Sequence, residues 1–140
     1  MRTLEGFDIF IGSEKDALNH SELINNNIRI LICVSEDAEV PKYSDIITTK
    51  WGMSDPETSH ITNNCLDNAI ELFNMCYTSA LRLNGGVLCY CSAGHNRSAI
   101  TVAGWLCKYT YMPLDEAAEL CSVKDNKEWM KSLGFTFSGI

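Results

Sequence analysis

GGVLCYCSAGHNRS, residues 85–98, runs from a pair of glycines through a short apolar stretch into a loop of small and polar residues. The loop opens on Cys91 and closes on Arg97 and Ser98. Val87 to Cys91 has the length and branching of a buried strand, punctuated by Gly85-Gly86. Beyond the loop, Ser98 to Thr110 carries Ala99, Ile100, Val102, Ala103, Trp105, Leu106 and Tyr109, the composition of a buried helix. Strand, loop and helix in that order specify an α/β unit. The flanking sequence repeats the alternation. FDIFI (7–11) and IRILICV (28–34) read as strands, with a polar, weakly helical segment from about Lys15 to Asn25 between them. A loop with Pro41 precedes another short strand around Asp45–Thr49, and WGMSDPETSH (51–60) is loop-like. From Thr62 to about Leu83, the residues Leu66, Ala69, Ile70, Phe73, Met75, Cys76, Tyr77 and Ala80 recur at helical spacing. Pro113 suits the first turn of a further helix over Leu114–Cys121, and NKEWMKSLGFTF (126–137) suggests one more. The expected fold is α/β: one domain over 1–140, with a small, central, mostly parallel sheet flanked by helices.

The chemistry lies in the loop. Backbone N–H groups between a strand end and a helix start converge on one point, a nest that binds phosphate without lysines. Gly94 lets backbone approach the ligand closely, and Ser92, Ala93, His95 and Asn96 complete the cradle. Arg97 offers a planar fork for two phosphate oxygens. A helix N-terminus and a nearby arginine also favour the thiolate form of a cysteine, which makes Cys91 a nucleophile. Ser98 can donate its hydroxyl to that sulfur. The C-x5-R spacing alone is weak, arising by chance about 0.2 times in a chain of this composition. The central glycine, the hydroxyl after the arginine, and the strand and helix on either side make it specific.

The whole chain limits how phosphate can be bound. Its formal charge is −7 and its pI about 4.8, so the overall field repels nucleic acid, and no basic cluster compensates. No apolar run reaches the roughly 20 residues of a membrane helix. MRTLEGFDIF lacks the uninterrupted apolar core of a signal peptide. The seven cysteines are odd in number and none pairs at C-x-x-C spacing, which suggests neither a disulfide framework nor a metal site. These features predict a reducing intracellular compartment, cytoplasmic or nuclear, and a monomer.

CSAGHNRS resembles the active-site signature of the cysteine-based protein tyrosine phosphatases, specifically the compact dual-specificity class. IFIGSEKDA (9–17), IRILICVSE (28–36), NGGVLCYC (84–91) and YMPLDEAAELCSVK (111–124) are similar to other segments of that class, so the resemblance covers most of the chain. It implies a protein-tyrosine-phosphatase-like fold. It also implies phosphorylated protein substrates, a phosphocysteine intermediate at Cys91, and no cofactor or metal. An aspartate upstream would serve as general acid. Asp45, Asp55 and Asp67 are the candidates, and Asp55 in the loop GMSDPE is preferred, with Glu57 as its fallback.

Two departures stand out. Asp55 lies a few residues further from Cys91 than the family's usual spacing, and Tyr90 replaces the usual histidine before the nucleophile. A phenol can hydrogen-bond as that histidine does but carries no positive charge near neutral pH, which predicts an active enzyme with an altered pH profile. The leading function is hydrolysis of phosphotyrosine, with phosphoserine and phosphothreonine. Alternatives are an RNA 5′-phosphatase or phosphoinositide phosphatase of the same chemistry, or a non-catalytic phosphate-binding module. Outside the loop, His20 and His60 are expected on the surface, Cys89 and Trp105 in the core, and Trp51 and Trp129 in packing roles.

Overall fold

Four parallel strands that end on one edge create the place where the loop sits. The computed structural model describes residues 1–53, 63–93 and 97–123. Its sheet has the order β1-β2-β5-β3-β4, formed by Arg2–Leu4, Ile9–Ser13, Gly86–Cys91, Ile28–Cys33 and Ile47–Lys50. β2, β5, β3 and β4 run parallel, with Ser13 paired to Cys91 and Cys33 to both Tyr90 and Lys50. β1 is an antiparallel edge strand that the sequence reading does not anticipate. The mostly parallel sheet is therefore mixed.

β5 is central because its residues suit burial on both faces. All six of its residues are buried. Val87, Cys89 and Cys91 point into a core shared with α3 (Asn63–Arg82), α4 (Arg97–Tyr109) and α5 (Leu114–Leu120). Leu88 and Tyr90 point the other way, onto Phe10, Leu31, Ala17 of α1 (Glu14–Ala17) and Leu23 of α2 (His20–Asn25). This is the period-two alternation of a strand between two helical layers. Gly85 feeds β5 from a crowded turn. A Cβ there would lie 2.1 Å from Arg29 Cγ and 2.8 Å from the Asn27 carbonyl oxygen, so no larger residue fits.

The weakly helical segment 15–25 resolves into two short helices. Ser13 caps α1 in a reciprocal box with Asp16, and Asn19 caps α2 by accepting from the Glu22 N–H. Pro113 stands at the N-cap of α5. Within α3, Leu66, Ala69, Ile70, Phe73, Cys76 and Ala80 are buried as the spacing requires, but Met75 is 64% exposed. Tyr109 is likewise on the surface, where its hydroxyl donates to Glu71. The short helix expected before Gly134 lies outside the described residues, as do His60 and Trp129. Among the described residues no helix is long and apolar enough to cross a membrane.

Phe73 is fully buried and stacks edge-on against Trp105 at 5.5 Å. Phe73→Ala is expected to cost about 3–5 kcal/mol in urea unfolding, while Met75→Ala stays within about 0.5 kcal/mol.

Candidate active site

Cys91 is the last residue of β5, 2% exposed, and its Sγ lies 3.3 Å from the Oγ of Ser98 in the first turn of α4. Helix α4 begins at Arg97 and its first eleven residues are buried, so the loop's exit is anchored as firmly as its entry. Thiol and hydroxyl thus meet where the end of β5 faces the start of α4. Gly94, His95 and Asn96 lie outside the described residues, as do Asp55 and Glu57. Ser92 is half-buried and Ala93 exposed at the loop's first turn.

Arg97 is 5% exposed and needs partners for its buried charge. Its Nη1 donates to the Met53 carbonyl at 3.0 Å and to Oδ1 of Asp37 at 2.9 Å. Asp37 is a residue that sequence reasoning missed. Its Oδ1 also accepts from Ser92 Oγ at 2.9 Å and from Ser35 Oγ. Ser35 and Ser92 hydroxyls approach each other at 3.2 Å. These hydroxyls and the guanidinium hold the Asp37 carboxyl well below the usual carboxylate range, although its side chain is 62% exposed. The pair stabilises the fold above the carboxyl's unfolded pKa of about 3.9 and is lost only as pH falls towards its depressed folded value. Asp37 follows β3, Met53 follows β4 and Cys91 ends β5. The site is thus assembled at the carboxyl edge of the parallel strands, where ligands bind in open α/β sheets.

Of the acid candidates, Asp45 is displaced from this edge. It precedes β4, at the opposite end of the strands, and pairs with His20 at 2.9 Å. That histidine is on the surface as expected, stacked on Tyr43. Asp67 is half-buried within α3, where its charge adds to the Glu71 hydrogen bond that raises the Lys108 ammonium pKa.

Cys89 is in the core, as expected, and burial pushes its thiol well above its ordinary range, with Cys91 adding to the effect. Trp105 is core too, its Nε1 donating to Asn74. Trp51 packs against the core edge and donates to the Cys65 carbonyl.

This constellation occurs in a chain whose residues 9–138 match the family model described as dual specificity phosphatase, catalytic domain. The chain belongs to that family. It is a cysteine-based dual-specificity phosphatase. Solved structures agree on the fold. Human DUSP28 superposes with a TM-score of 0.74 at 19% identity, covering 92% of this chain and 88% of that one. A mouse putative dual specificity phosphatase complexed with zinc tungstate gives 0.72 at 20% identity, covering 92% and 82%. The Yvh1 phosphatase domain from Chaetomium thermophilum gives 0.69 at 18% identity, covering 94% and 95%. The fold is protein-tyrosine-phosphatase-like. No curated protein sequence matches.

Tyr90, the phosphatase's departure from the usual histidine, faces away from Cys91. Its ring is fully buried in the opposite core and its Oη donates to the Glu39 carbonyl at 2.9 Å. Burial, then the neighbouring Cys33, pushes the phenol's pKa up, so it remains a donor. Glu39 is also held through its N–H, which donates to Glu14, while the Glu14 N–H donates to the Ser92 carbonyl at 3.2 Å. Tyr90 therefore reaches the site through the loop at 35–39. Tyr90→Phe leaves the ring's packing intact and removes one donor, and is expected to lower stability by about 1 kcal/mol in thermal or urea unfolding.

Proposed function

We propose that this phosphatase hydrolyses phosphotyrosine, and with it phosphoserine and phosphothreonine, in proteins through a phosphocysteine at Cys91. The observation that carries this reading is the 3.3 Å contact between Cys91 Sγ and Ser98 Oγ at the foot of a loop closed by Arg97. In the first step the thiolate attacks phosphorus. An S–P bond forms, the P–O ester bond breaks, and the departing oxygen takes a proton from Asp55. In the second step water attacks phosphorus and gives its proton to Asp55. The S–P bond breaks, Cys91 leaves as thiolate with the Ser98 hydroxyl donating to it, and inorganic phosphate departs.

The acidic character of the site supports a single phosphate on a protein over RNA 5′-phosphates or polyphosphoinositides. Asp37 stands beside Arg97 with most of its surface exposed, and Glu36 next to it is exposed as well. Carboxylates at that mouth repel a second or third phosphate. The chain's formal charge of −7 acts in the same direction. A monomeric enzyme in a reducing compartment fits its seven cysteines, of which five besides Cys91 are buried.

Hydrolysis of p-nitrophenyl phosphate and of a phosphotyrosine peptide, in reduced protein and without added metal, tests the proposal. Cys91→Ser is expected to abolish turnover, and Asp55→Asn to lower kcat by about 10²-fold or more on substrates with poor leaving groups. Ser98→Ala is expected to release a burst of phenolate equal to the enzyme before a slower steady rate. Folded wild-type protein without turnover on either substrate would defeat this reading in favour of RNA or lipid phosphates, or of binding alone.

A further inference from the structure

The carboxylate of Asp37 touches both ends of the phosphate loop. One oxygen, Oδ1, accepts from Ser92 Oγ immediately after the nucleophile, from Arg97 Nη1 at the loop's exit, and from Ser35 Oγ on the strand side. The backbone N–H of Asp37 in turn donates to Ser35 Oγ at 3.4 Å. The segment bearing Asp37 is itself fixed, since Glu39 is tied by its carbonyl to Tyr90 and by its N–H to Glu14. We propose that Asp37 is a positioning residue: it clasps Ser92 to Arg97 and so sets the loop and the guanidinium in their anion-binding arrangement before phosphate arrives. This rests on the phosphatase reading of the site.

The geometry favours a clasp over a competitor for the phosphate. Arg97 meets Asp37 through Nη1, the nitrogen that also donates to the Met53 carbonyl. That edge of the guanidinium is fixed to protein at two points. The opposite edge, Nε and Nη2, is the pair that a bidentate phosphate takes. A carboxylate standing in for phosphate would instead be expected across that second edge. Holding one edge of a planar fork orients the other, because the five donors share a plane. Preorganisation of this kind strengthens anion binding by removing the cost of ordering the site on arrival. The like charge of Asp37 opposes binding, so the net effect measures whether orientation outweighs repulsion.

The test is made in two arms. In the Cys91→Ser background, tungstate serves as the oxyanion probe in isothermal titration. Asp37→Ala is expected to weaken tungstate about tenfold, the scale of one lost charge-assisted hydrogen-bond partner. Asp37→Asn, whose amide oxygen accepts the same three bonds, is expected to stay within about threefold of the parent. Ser92→Ala, which removes only the bond at the loop's entry, should fall between them. In the Cys91 background, kcat/KM for p-nitrophenyl phosphate should drop with Asp37→Ala and recover with Asp37→Asn. A merely structural role would lower unfolding stability without that recovery in anion affinity. Tungstate binding that is unchanged or tighter in Asp37→Ala, or unchanged or tighter in Ser92→Ala, overturns the clasp and makes the carboxylate a competitor. Should Asp37→Ala fail to fold, Asp37→Asn and Ser92→Ala still decide the matter. The tungstate arm reads the clasp even if wild-type protein shows no turnover, so failure of the phosphatase reading is distinguishable from failure of this one.

Discussion

A guanidinium buried at the start of a helix is the constraint around which this site closes. Arg97 cannot leave water without partners, and isolated burial of its charge would cost far more than a fold of this size can spare. The partners come from three different strand ends. Met53 after β4 supplies a carbonyl, Asp37 after β3 a carboxylate, and the loop after β5 supplies Ser92 to the same carboxylate oxygen. The parallel sheet makes this possible, because parallel strands deliver their carboxyl ends to one edge. Burial of Arg97 thus ties the loop to the topology.

The placement of Cys91 depends on the same arrangement. Cys91 belongs to β5 and shares the α3–α4 face of the sheet with Cys89, while Ser98 belongs to α4. Their 3.3 Å contact exists only because strand and helix are both buried and six residues apart at their facing ends. Three thiols of the core are set apart from it by burial. Burial raises Cys76 and Cys107 to about 11 and Cys121 to about 12, which keeps them neutral hydrophobes of the core.

Local pattern made much of the architecture legible. The branched apolar runs at 28–34 and 87–91 are strands, and the residues flanking CSAGHNRS take up strand and helix where expected. β1 was illegible because three residues, Arg2–Leu4, carry no period. Met75 misled because its apolar side chain sits one position off the buried stripe of α3, where only packing distinguishes it. Within the site, Cys91, Arg97 and Ser98 fall within eight consecutive residues, so their proximity is legible in the sequence. Asp37 was not readable: its contact with Arg97 spans 60 residues, and Glu36 beside it has the same chemistry. The available signal was indirect, a buried arginine requiring an anion from the neighbouring strand's end. The effect of Tyr90 was illegible for a related reason, since strand alternation places its ring on the face opposite Cys91.

Covalent catalysis by Cys91 stands or falls on the phosphocysteine itself, which can be trapped. Enzyme turning over a phosphotyrosine peptide would be quenched in acid, digested, and examined by mass spectrometry for a phosphoryl group. One phosphoryl group is expected on the peptide containing Cys91, absent from Cys91→Ser and more abundant in Ser98→Ala. Turnover with no phosphorylated peptide at any quench time in Ser98→Ala, or with the phosphoryl group on another residue, would contradict it.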